Sequence, residues 1–146
     1  MSLYRPPITV LGATQYEHQE VEVVSVTPTQ DTWYTALNTT TNVLLQWIRV
    51  YQSNAGGSAK SLRARVTVDG HVFTSSFVSC ASATFYYVFC AADGTPQFWG
   101  SPVNAAMYLG WPAKSAKVEV QFADTPGTDQ YLSLRVQYAK LKATTI

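Results

Sequence analysis

Charge is scarce in this sequence. Lys, Arg, Asp and Glu make up 13% of its 146 residues, against roughly 25% in an ordinary soluble domain. Ten basic residues against nine acidic ones leave a net charge of +1. The basic residues are scattered, and only Arg49, Arg63 and Arg65 come near to a cluster. No basic run is available to neutralise a phosphate backbone, so nucleic acid is not an expected partner. No apolar stretch approaches the roughly 18 residues of a membrane-spanning helix, so no membrane partner is expected either. The opening MSLYRPPITV lacks the basic segment and apolar core of a secretory signal, and folding in a cytoplasm is expected.

Groups that do chemistry are also sparse. The two cysteines, Cys80 and Cys90, are too few for a disulfide framework. They fall near the ends of neighbouring predicted strands, and a bond would need a register that brings them together. Two free, buried thiols acting as small hydrophobes is the preferred reading. His18 and His71 are the only histidines. A Ser-His-Asp site is defined by geometry, so their separation does not exclude one, but no G-x-S-x-G elbow is present. Glu20 and Glu22 share a strand face, as residues two apart do, and a surface role outweighs an acid–base pair. No cysteine–histidine pair has zinc spacing. No Asp-rich loop resembles a calcium site, and no Gly-rich loop opens a helix. Asn38-Thr39-Thr40 matches a glycosylation sequon by chance. No metal, cofactor or enzymatic activity is expected.

Alternation is what the sequence does have. Leu62, Ala64, Val66 and Val68 alternate with Arg63, Arg65, Thr67 and Asp69. Val118, Val120 and Phe122 alternate with polar residues, as do Leu132, Leu134, Val136 and Tyr138. A period of two marks strands with one face in a core. Strands are predicted at Ile8–Leu11, Val21–Val26, Thr32–Thr35, Val43–Gln52, Ser61–Val68, His71–Val78, Thr84–Ala91, Ala106–Leu109, Lys117–Ala123 and Tyr131–Lys140. A short helical turn is allowed only near Asn104–Leu109. Asp69-Gly70 reads as a two-residue type I′ hairpin. Ser53–Ser58 reads as a longer, flexible hairpin loop. Asp93-Gly94-Thr95-Pro96 and Thr125-Pro126-Gly127-Thr128 read as turns. Many short strands without intervening helices give an all-β fold: an antiparallel, jelly-roll-like β-sandwich of about 8–10 strands. The length fits one domain, which buries about 70% of its unfolded surface. Residues 1–12 read as an extended N-terminal arm with a first strand, and 13–146 as the sandwich. Arg5-Pro6-Pro7 favours polyproline geometry and cannot donate ladder bonds at its prolines. Such an arm frays in a monomer, so a neighbouring subunit is its expected support.

The aromatic content, 9 Tyr, 6 Phe and 4 Trp, points to surface contacts. Within Val43–Gln52, Leu44, Ile48 and Val50 are assigned to one face and Trp47, Arg49 and Tyr51 to the other. Arg63 and Arg65 are expected beside them on the outer face of the partner strand. Trp, Tyr and Arg together are the composition of interface hot spots, and of sugar-stacking platforms. A core Trp47 covered by the second sheet is the alternative. Trp99 and Trp111, in Phe98-Trp99-Gly100 and Gly110-Trp111-Pro112, are expected in loops, as contact or glycan-stacking residues. With charge this low, part of the surface is expected to be covered by other protein.

The run Leu44–Tyr51, a Gly/Ser/Ala loop, and then Leu62-Arg63-Ala64-Arg65-Val66-Thr67-Val68-Asp69-Gly70 resembles a pattern in small tailed-phage structural proteins. They carry an I-R-V-x-N-type strand, a small-residue turn and a V-T-V-x-x-D-G strand. Gln52-Ser53 stands here where that pattern has Asn-Thr. Lys117–Phe122, the Thr-Pro-Gly-Thr-Asp turn and Leu132–Tyr138 are similar to their closing hairpin. The resemblance covers about half the chain and implies a virion component assembled in the host cytoplasm. That component would be a head decoration or cement protein, or a tail module. It implies a self-associating protein, a trimer by preference, packed on other capsid or tail proteins. A carbohydrate-binding sandwich for host adhesion is the second reading.

Overall fold

β-branched and aromatic residues at alternate positions build strands wherever one face can be buried. In the computed structural model, backbone is described for residues 16–92, 95–100 and 110–141, and side chains for 21–88 and 110–140. Among the described residues there are eleven strands and no helix. They are β1 (Tyr16–Val26), β2 (Thr32–Thr39), β3 (Val43–Ser53), β4 (Lys60–Val68), β5 (His71–Thr74), β6 (Val78–Cys80), β7 (Thr84–Ala92), β8 (Thr95–Gly100), β9 (Trp111–Ala113), β10 (Ala116–Phe122) and β11 (Tyr131–Leu141). The arm with Arg5, Pro6 and Pro7, the predicted strands at 8–11 and 106–109, and the turn at 104–109 lie outside the described residues.

The strands form two antiparallel sheets. One runs β1-β11-β3-β7-β8, with β9 also on β3; the other runs β2-β10-β4-β5, with β6 also on β4. Below they are called the front and back sheets. The chain changes sheet between β1 and β2, β2 and β3, β3 and β4, β6 and β7, β9 and β10, and β10 and β11. Two opposed sheets ordered 1-11-3-7 and 2-10-4-5 have the strand order of a jelly roll.

The core lies between the sheets. Ile48, Val50, Leu132, Leu134 and Val136 face Leu62, Ala64, Val66, Val118, Val120 and Phe122, all nearly fully buried. Each such large side chain contributes about 1.5–3 kcal/mol through burial. The alternation read in β4, β10 and β11 is observed. In β3 it is broken. Leu44 is not on the face of Ile48 and Val50; Val43 and Leu45 are buried there instead. A register shift places Gln137 opposite Trp47 but Tyr138 opposite Leu45, so Gln46 is an extra residue. Such a bulge inverts the phase of everything before it.

Turn chemistry meets expectation at Asp69-Gly70. Both residues have positive φ, 49° and 83°, and Val68 pairs with His71, as a type I′ hairpin requires. The Asp69 carboxylate also accepts from the Lys114 and Ser115 amides at 2.7 and 3.0 Å. Four other expectations need correction. Ser53–Ser58 is not a hairpin loop, because β3 and β4 belong to different sheets. The strand predicted over His71–Val78 is split into β5 and β6. There the Ser75 hydroxyl accepts from the Ala64 amide, the donor a continuous strand would have taken with its backbone. The turn read over Asp93–Pro96 is shorter: Thr95 and Pro96 already open β8, with Thr95 paired to Ala92, and 93–94 lie outside the described residues. Proline is tolerated there because β8 is at the edge of the sheet among the described strands. Trp99 and Trp111 lie in β8 and β9, not in loops.

Candidate interaction surfaces on the two outer sheet faces

Trp47, Arg49 and Tyr51 point away from the core on the front sheet, half-buried. The second sheet packs on the other side of β3, so Trp47 is not a core residue under it. The ladder puts Arg135 opposite Arg49, Gln137 opposite Trp47 and Ser133 opposite Tyr51. On β7, Tyr87 and Phe85 pair with Arg49 and Tyr51. On β1, Val21 and Val23 pair with Gln137 and Arg135, and they are 48% and 45% exposed. Tyr51 stacks tilted on Phe85 at 4.7 Å and meets Tyr131 edge-on at 6.1 Å. The Arg49 guanidinium lies between two rings, 4.6 Å from Trp47 and 4.7 Å from Phe85.

This face is electrostatically incomplete. No carboxylate among the described residues pairs with Arg49 or Arg135. Arg49 Nε and Ser133 Oγ are both buried without a hydrogen-bond partner. Each such atom costs about 1–3 kcal/mol of desolvation.

Arg63 and Arg65 do not join this face. β4 is in the back sheet, so its outward residues emerge on the opposite side of the sandwich. The expectation assumed that sequence neighbours β3 and β4 pair; in this topology they cross between sheets. On the back sheet both arginines are satisfied. Arg63 Nε donates to Gln121 Oε1 at 2.7 Å, and its guanidinium lies 4.5 Å from Phe77 and 5.2 Å from Trp33. Arg65 binds Glu119 through Nε at 3.2 Å and Nη2 at 2.7 Å, with Trp33 4.0 Å away. Lys117 adds a 3.6 Å contact to the same carboxylate. Hydrogen bonding to Glu119 raises the Arg65 pKa above its ordinary value.

A third cluster, which sequence reasoning missed, closes one end of the sandwich. Gln52, fully buried, donates to the Cys80 and Ser58 carbonyls. Its Oε1 accepts from Gln130 at 2.8 Å and Asn54 at 3.2 Å. Asn54 accepts from the Ser58 amide and hydroxyl, and Gln130 accepts from Gly127. The loop read as flexible is thus stitched to the loops before β7 and β11. Only the polar Gln52, in phase with buried Ile48 and Val50, signals this in the sequence.

The remaining candidates stand apart. Trp111 is half-buried on the core, with Phe73 edge-on at 5.4 Å. The side chains of Trp99, Cys90 and His18 lie outside the described residues. Cys80 is a free, buried thiol, and burial pushes its pKa up to about 12. His71 is exposed at the start of β5. Among the described residues no cluster of His, Cys, Asp and Glu could hold a metal.

No protein-family model and no curated protein sequence matches this chain. Among solved structures it is similar to a chain of infectious bursal disease virus, Gx strain. That match has a TM-score of 0.40 and 11% identity, and covers 89% of this chain and 35% of the other. It is also similar to a chain of the T=1 particles derived from infectious bursal virus, with a TM-score of 0.33, 12% identity, and coverage of 88% and 37%. The chain thus spans little more than a third of the length of those chains.

Proposed function

We propose that this chain is a virion structural protein that works through its surface and without catalysis. In the finer reading it is a bacteriophage decoration, cement or tail module, self-associating as a trimer and packing on other capsid or tail subunits. Jelly rolls serve in viral capsids and in lectins, and a fold alone does not choose between such roles. The front sheet's outer face carries the choice. It combines exposed valines, stacked aromatics and two arginines that no acid among the described residues pairs with, a composition suited to contact with protein. The sparse charge of the whole chain supports the same reading. A carbohydrate platform needs an open ring face, whereas Arg49 lies over Trp47 and Phe73 meets Trp111. The carbohydrate reading therefore ranks second. Native mass spectrometry at micromolar concentration should give a trimer. A clean monomer that also fails to co-sediment with particles would overturn the proposal, and a glycan array with a strong binder would favour the second reading.

A further inference from the structure

We propose that the front sheet's outer face receives the Asp31/Asp129 end of a second copy of this chain, head to tail, with those carboxylates pairing with Arg49 and Arg135. This inference rests on the self-association proposed above and specifies its contact.

Arg49 and Arg135 are directly opposite, and like charges so placed destabilise a sheet. The outward residues around them are Val21, Val23, Trp47, Tyr51, Ser133 and Phe85, none of them acidic. Arg49 Nε is buried and unpartnered. A carboxylate from outside would complete it and relieve the repulsion.

The same face of a second copy cannot be that occupant. An isologous contact would set arginines against arginines, in a desolvated interface where like charges cost most. The occupant must present a different surface, which makes the contact heterologous. A heterologous contact closes into a ring when its rotation allows, as a trimer requires.

The carboxylates of this chain narrow the choice. Among the described residues, Glu119 is held by Arg65 and Lys117. Asp69 is held by two amides, Asp124 by the Ser61 amide and Glu22 by the Tyr138 hydroxyl. Asp31 and Asp129 are left, both exposed and both at turn positions of positive φ, 60° and 52°. They lie at one end of the sandwich, in the loops before β2 and β11, which Thr125 and Gln30 join at 3.3 Å. The Gln52–Gln130–Asn54 network holds the β10–β11 loop, so little conformational freedom is lost when that end docks. A nucleic acid suits the face less well. Two arginines bordered by Val21 and Val23 cannot track a phosphate backbone.

The test is a charge swap in the full chain, read by native mass spectrometry and sedimentation, with far-UV circular dichroism to confirm folding. Arg135→Glu alone, and Asp31→Lys with Asp129→Lys alone, should each weaken association by about a hundredfold, the scale of a like-charge contact. Those three substitutions combined with Arg49→Glu, which set each new lysine against a glutamate, should restore it. Asp31→Asn with Asp129→Asn keeps residues that tolerate positive φ and should weaken association by about tenfold. A wild-type oligomer indifferent to both single swaps would overturn this contact and leave self-association standing. A monomeric wild type would overturn self-association itself. Single swaps that abolish assembly without rescue by the combination would overturn the pairing. So would a labelled oligonucleotide that binds the wild type and is lost with Arg135→Glu.

Discussion

The two outer faces of the sandwich use the same residue types to opposite ends. On the back sheet Arg63 and Arg65 stack on Trp33, and they also reach Gln121 and the 4%-exposed Glu119. On the front sheet Arg49 stacks between Trp47 and Phe85 but finds no acceptor for its Nε, and its neighbour is another arginine. Stacking alone holds a guanidinium in place. Only the acid or amide beside it completes the desolvated hydrogen bonds. The back face is therefore built for its own stability, and the front face carries an energetic debt within the single chain.

That contrast breaks most visibly at Glu119. Glu119→Ala should lower stability by about 2 kcal/mol, because it removes both hydrogen bonds that the Arg65 guanidinium makes to the buried carboxylate. Urea unfolding read by tryptophan fluorescence would measure it. A loss of a few tenths would mean that the back face is not self-sufficient. The thiol on β6 gives a pH-dependent measure of burial beside the back sheet. Its pKa, raised to about 12, favours folding below the unfolded value near 8.5, and that stability is lost as pH rises toward 12. The loss is about 1.4 kcal/mol per pH unit above about 8.5. Denaturation midpoints of wild type and Cys80→Ala at pH 8 and pH 10 should differ accordingly.

On the front face the effects should be smaller or reversed. Arg49→Met removes two cation–π contacts of about 0.5–1 kcal/mol each. It also removes an unpartnered Nε, so monomer stability should change by less than about 1 kcal/mol. The matching Arg65→Met should cost clearly more, and equal losses would erase the distinction. Ser133→Ala deletes the other unpartnered polar atom and should stabilise the monomer by about 0.5–1 kcal/mol, read from the unfolding midpoint.

How much of this was legible in the sequence depended on whether the signal was local. Alternation in β4, β10 and β11 gave the strands and their inward faces, because burial of one sheet face is written at every second residue. Asp69-Gly70 gave its turn because positive φ selects those residue types. The Trp47/Arg49/Tyr51 face was correctly grouped. Its relation to Arg63 and Arg65 was not, because alternation is silent on which strands pair. The bulge at Gln46 hid that Val43 and Leu45 share the buried face of Ile48 and Val50, since one extra residue leaves no mark in composition. Glu119 and Gln121 occupy outward positions that look solvated, and only the fold reveals that Arg65 and Arg63 cover them.

The pairing of β1 with β11, which sets Tyr16 opposite Leu141, has a consequence in time. The first described strand finds its partner only when the last one has been made. Until then the outward-facing Val21 and Val23 belong to a strand with no partner among the described strands, and the edge of β3 awaiting β11 is open as well. Contacts this distant along a chain fold slowly, in milliseconds to seconds, and unpaired strand edges are prone to wrong association meanwhile. The sheet proposed here to recognise other copies is thus also the last to be completed, so recognition cannot begin before synthesis of β11 has ended.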